Sequence, residues 1–142
     1  MRLGDLLNQN DIVTVDIDSE THLPVMWTMY DVYLEGILQE KGPDNALYLK
    51  TAEFYNKLVD DYHEQGKPDV VSLGLTLKEQ VDSCFVVSTF LYKTKQVIDM
   101  ALNDEKYELV SMMTNVVECA EKMLKVFKMR NGTEINVRLI EQ

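Results

Sequence analysis

Apolar residues recur along most of this chain at spacings of three and four, and only two short stretches alternate instead. The longest regular tract covers residues 76–129. Its first part places Leu77, Val81, Cys84, Phe85, Leu91, Val97, Ile98 and Ala101 on one helical face. Its second part does the same with Leu109, Val110, Met113, Val116, Val117, Ala120, Met123, Leu124 and Phe127. Thr76-Leu77-Lys78-Glu79 fits a capping box, in which the hydroxyl and the carboxylate satisfy backbone N–H groups that the helix leaves unbonded. Asp104 and Glu105 suit the positive end of a helix dipole, and Lys122, Lys125, Lys128 and Arg130 suit the negative end. Asn131-Gly132 supplies residues that tolerate a left-handed C-terminal cap. The pattern predicts helices over about 76–102 and 104–129, folded back at Asn103-Asp104 into an antiparallel hairpin. At about 1.5 Å per residue each arm is roughly 40 Å long.

Two more helices are expected in the first half. One runs over about 24–40, with Met26, Met29, Tyr30, Tyr33, Leu34, Ile37 and Leu38 as its stripe, although this Met-, Trp- and Tyr-rich composition also suits a strand. Gly42-Pro43 separates it from a helix over about 44–64, with Leu47, Tyr48, Ala52, Tyr55, Leu58, Val59 and Tyr62 on its face. Leu3, Leu6 and Leu7 suggest a helical turn before them. Alternation marks a strand over about 11–17, where Val13, Val15 and Ile17 share a face, and another over about 134–140, through Ile135, Val137 and Leu139. Residues 66–75 read as a loop with a short extended piece at Val70-Val71. The expected architecture is mainly α with a minor β part. It is a single, four-helix bundle-like domain spanning 1–142, built on the long hairpin, with N- and C-terminal strands placed to pair. Asp16 or Asp18 opposite Arg138 would suit that pairing.

Composition narrows the function classes. A hydrophobic content of 46% argues for a packed core rather than an unfolded chain. Net charge is −10, which disfavours generic binding to a phosphate backbone. The acidity is uneven: residues 1–65 hold 13 acids and 4 bases, whereas residues 66–142 hold 11 and 10. No apolar run is long enough for a membrane span, and the N-terminus lacks a secretory pattern, so a cytoplasmic location is expected. Cys84 and Cys119 are then expected as reduced, apolar-like side chains, brought near each other by the hairpin.

Signals for chemistry are sparse. Asp60 and His63 stand three apart, a spacing used by metal sites in helical bundles, but one such unit supplies too few ligands. Glu79/Asp82, Glu105/Glu108 and Glu118/Glu121 each place two acids one turn apart. Such pairs hold Mg²⁺ in all-α nucleotide pyrophosphohydrolases, yet those enzymes carry Glu-x-x-Glu before Glu-x-x-Asp, and here the order is reversed. Folding back at residue 103 also sets Glu79 and Asp82 opposite Lys128 and Lys125, as surface salt bridges. No phosphate loop or nucleophile motif is present, so no cofactor, metal or catalytic residue is assigned.

The leading expectation is a non-enzymatic protein–protein interaction or assembly module acting on itself or on a protein partner, with neither nucleic acid nor membrane bound directly. Wide apolar stripes on the last helix favour it. Ile135, Val137, Leu139, Met112 and Met113 are the expected oligomer interface. An alternative is an acidic inhibitor that imitates nucleic acid through Asp11, Asp16, Asp18, Glu20, Asp31, Glu35 and Glu40. The Mg²⁺-dependent hydrolase is a second alternative.

Overall fold

The computed structural model describes residues 12–130 and 133–134. In chain order these form β1 (Val13–Asp18), α1 (His22–Lys41), α2 (Ala46–Glu64), β2 (Val70–Leu75), α3 (Leu77–Asn103), α4 (Tyr107–Phe127), β3 (Met129–Arg130) and β4 (Thr133–Glu134). The chain is mainly α: four helices with a two-stranded antiparallel sheet of β1 and β2, and a minimal β3–β4 ladder. It divides into two compact units. One is Asp16–Leu73, and the other joins the described residues up to Val15 with those from Gly74 onward.

The sheet corrects one expectation. The partner of β1 is β2, not the C-terminal segment. In β1, Val15 and Ile17 are buried while Thr14 and Asp16 face outward. In β2, Val71, Leu73 and Leu75 are buried and Val70 and Ser72 exposed, so its alternation is as strict as that of β1. The sequence hid this strand because Gly66, Pro68 and Gly74 punctuate it like a loop. Gly74 has a packing reason: a Cβ there would lie 2.9 Å from the Ile12 side chain. Asp16 accepts from the Ser72 hydroxyl at 2.8 Å, and Arg138, its expected partner, lies outside the described residues. Asp18 turns instead to the backbone N–H groups of Glu20 and Thr21, both at 2.9 Å. At the other end of the chain, Met129 pairs with Glu134 and Arg130 with Thr133. The rest of the expected C-terminal strand, the Leu3–Leu7 turn, Asp11 and Asn131-Gly132 lie outside the described residues.

Within the first unit, residues 24–40 are helix, not strand, as part of α1. Met26, Met29, Tyr30 and Ile37 of the expected stripe are buried, together with Leu23. Asn45 starts α2, its side-chain oxygen accepting from Leu47 N–H at 2.9 Å and Tyr48 N–H at 3.4 Å. The two helices pack through aromatic rings. Trp27 meets Tyr55 edge-on at 5.6 Å and Tyr62 at 6.5 Å, and Tyr30 lies 5.8 Å from Phe54. Gly66, at φ 76°, ends α2 by sending its N–H to His63, and Lys67 N–H reaches Tyr62. Gln65 then clamps β2: its side-chain amide donates to Ser72 O at 2.8 Å and its oxygen accepts from Ser72 N–H at 3.0 Å.

In the second unit, the capping box at Thr76 and Glu79 forms as the sequence predicts. α3 and α4 pack as an antiparallel hairpin. The fold-back falls on 104–106 rather than on Asn103-Asp104. Lys106 N–H bonds Ala101 O at 2.8 Å, and Glu105 N–H bonds Leu102 O at 3.1 Å. This closure puts Glu105 in the left-handed region at φ 58°. At the far end α4 stops at Phe127, two residues short of expectation, and β3 begins at Met129. There the fully buried carboxamide of Gln80 donates to Phe127 O at 3.3 Å and to Met129 O at 2.6 Å. It thereby supplies a donor to the Phe127 carbonyl, which the helix end leaves without an intrahelical partner, and to the Met129 carbonyl of β3.

Two stability outcomes follow from the hairpin. Gln80→Leu strands both carbonyls in the interior and should lower unfolding free energy by about 1–3 kcal/mol, read from urea denaturation followed by circular dichroism. Glu105→Gly removes the penalty on a side chain in the left-handed region and should raise it by up to about 1 kcal/mol in the same assay.

Candidate interaction surface

Of the acidic residues singled out from sequence, Asp16, Glu20, Asp31, Glu35 and Glu40 are exposed and Asp18 is half-buried, while Asp11 lies outside the described residues. Asp16 and Asp18 are engaged as described above. The contacts that hold Asp18 keep its carboxyl below the usual range, the Thr21 N–H foremost, then the Thr21 hydroxyl and the Glu20 N–H. Asp31 accepts from the Tyr55 hydroxyl, and Glu35 accepts from Gln39 at 2.9 Å. Burial, then the charge and hydrogen bond of Asp31, push the Tyr55 phenol up. Glu20 and Glu40 are exposed. Four of the six described members thus accept hydrogen bonds inside the first unit.

The paired carboxylates of the second unit are spread over structural tasks. Glu79 accepts from Thr76 N–H at 2.9 Å to close the helix cap. Glu121 lies 3.8 Å from Lys95 on the neighbouring helix, both side chains being well exposed. Among the described residues, no group of three or more His, Cys, Asp or Glu is placed to hold a metal ion. His63 is exposed and its ring rests against Tyr62. No helix among the described residues is long and apolar enough to cross a membrane.

The two cysteines are free thiols, Cys84 buried and Cys119 partly so. Burial pushes the Cys84 thiol up to about 11, against the weaker opposite pull of the Lys128 charge. Burial raises Cys119 as well, opposed by Lys122. Both are therefore held as thiols near neutral pH, the unreactive form.

Both units leave large apolar side chains outside: Leu47, Leu49 and Val70 are exposed in the first, and the second has more of them around one connection. Val97, Met100 and Leu102 near the end of α3, and Tyr107, Leu109 and Met112 at the start of α4, are exposed although large and apolar. Of the expected oligomer residues, Met112 is 66% exposed and Met113 is half-buried. Ile135, Val137 and Leu139 lie outside the described residues. The sequence marked a wide stripe on α4 but could not say which side of it α3 covers. Val117, Ala120, Met123 and Phe127 are the buried positions.

Comparison with protein-family models, with curated proteins and with solved structures gives no match. The fold class stands on the coordinates: four helices with a two-stranded antiparallel sheet.

Cys84 gives a pH signature. Its unfolded thiol ionises near 9 and its folded thiol near 11, so the unfolded chain releases its proton first as pH rises. The contribution is constant below pH 9 and stability falls between pH 9 and 11. The urea midpoint of the wild type minus that of Cys84→Ala, measured from pH 8 to 11, should drop across that window.

Proposed function

We propose that this chain is a non-enzymatic interaction or assembly module, acting on protein and forming oligomers. The observation that supports this reading is the set of exposed large apolar side chains on either side of the α3–α4 connection: Val97, Met100, Leu102, Tyr107, Leu109 and Met112. Single exposed apolar side chains are ordinary, but a group of large ones along one hairpin marks a surface that another protein covers.

Self-association and partner capture test the reading together. Sedimentation over about 5–500 µM, a range that brackets weak to moderate affinities, should give a mass above one chain that rises with concentration. A strictly monomeric species throughout, with no protein retained on the immobilised chain, would overturn it.

A further inference from the structure

α4 carries two adjacent apolar series, offset by one residue. Val110, Met113, Val117, Ala120, Leu124 and Phe127 follow a three-four-three-four-three spacing. So do Leu109, Met112, Val116, Cys119, Met123 and Val126. This is the spacing of a coiled-coil seam. The first series holds Val117, Ala120 and Phe127, which are buried, so it faces α3. The second is apolar at all six positions, yet only Met123 is buried. Leu109 is 38% exposed and Val126 43%, with Val116 and Cys119 half-buried. Among the described residues α3 is the helix that packs along α4, and packing on one helix uses one seam.

Charge along α4 says what the second seam fits. Residues 104–115 hold three acids, Asp104, Glu105 and Glu108, and one lysine. Residues 118–128 hold Lys122, Lys125 and Lys128 with two acids, of which Glu121 stands beside Lys95 of its own hairpin. Asp104 and Glu105 lie in the connection and Glu108 in the first turn, so the entry to α4 is acidic, while Lys122, Lys125 and Lys128 leave its exit net basic by one charge. A parallel copy would set like charges side by side, and an antiparallel copy sets unlike charges side by side. The spacing of the seam also reads the same in both directions. Reversal sets Leu109 against Val126 of the second copy, Met112 against Met123 and Val116 against Cys119, so every apolar position meets an apolar position. A two-fold axis has this self-complementarity.

Resting on the interaction-module reading, we infer that α4 docks antiparallel on α4 of a second copy through the Leu109–Val126 seam, with its acidic start beside the basic end of that copy. The dimer forms across a seam whose outer positions, Leu109, Met112 and Val126, are exposed in the single chain, and α3 remains the inner neighbour of α4.

Sedimentation equilibrium on the full chain tests this, with circular dichroism and Trp27 fluorescence confirming that each variant is folded. Met112→Glu should weaken the dimer at least about tenfold. Tyr92→Glu, equally exposed at 66% on α3 and outside the seam, should leave it unchanged. The charge variants Lys122→Glu/Lys125→Glu and Glu105→Lys/Glu108→Lys should each weaken self-association, and mixing the two should restore it. If the wild type self-associates and Met112→Glu and the charge variants do so equally well, this docking is wrong while the broader reading stands. A monomeric wild type that retains a different protein has the same consequence. A monomer that retains nothing overturns both.

Discussion

The carboxamide of Gln80 is the contact on which the second unit depends. A neutral polar group with no exposed surface is stable only if its donors are used, and here they are used on the opposite arm of the hairpin. Apolar seams alone tolerate sliding, because a shift by one turn still sets apolar against apolar. A buried amide does not, since any shift leaves it and two carbonyls unpaired. Gln80 thus fixes the register of α3 against α4, and it fixes where α4 gives way to β3. The left-handed closure at Glu105 sets the other end of the same pair.

That fixed register decides what α4 exposes. Once Val117, Ala120 and Phe127 are committed to α3, Met112 and Val126 have no place in the same interface, because they lie on the neighbouring series. The first unit resolves the same problem differently. Its large side chains meet each other, Trp27 with Tyr55 and Tyr62, and Tyr30 with Phe54. Four of its carboxylates accept hydrogen bonds from Ser72, Gln39, Tyr55 and the turn at Thr21. Both units leave some large apolar side chains exposed, Leu47 and Leu49 in the first and Met100 and Met112 in the second, but on α4 they extend one regular seam.

Much of the candidate surface was legible as a type of surface and not as a place. Met112 stood out from the width of the apolar stripe, and the structure leaves it exposed. The acidic group was legible as a count of charges, but a count does not show hydrogen bonds. Ser72 reaching Asp16 spans 56 positions of sequence, and nothing local announces it. Glu79 was weighed as a metal ligand or a salt-bridge partner, and the capping box that the same residues spell out is what holds its carboxylate.

Local physical chemistry in the sequence determined the helices, because their information lies within a few residues: the three-four spacing of apolar positions and the Thr76–Glu79 cap. It also determined β1, where alternation is uninterrupted. Tertiary structure decided the rest. β2 became a strand because its alternate residues found burial and β1 supplied its backbone partners, against glycines that read as a loop. Gln80 looked like one polar residue in a helix, and only the return of α4 turned it into the pin of the hairpin. Strand pairing and buried polar contacts join residues dozens of positions apart, and their energy comes from the removal of water on folding, which no short stretch of chain contains by itself.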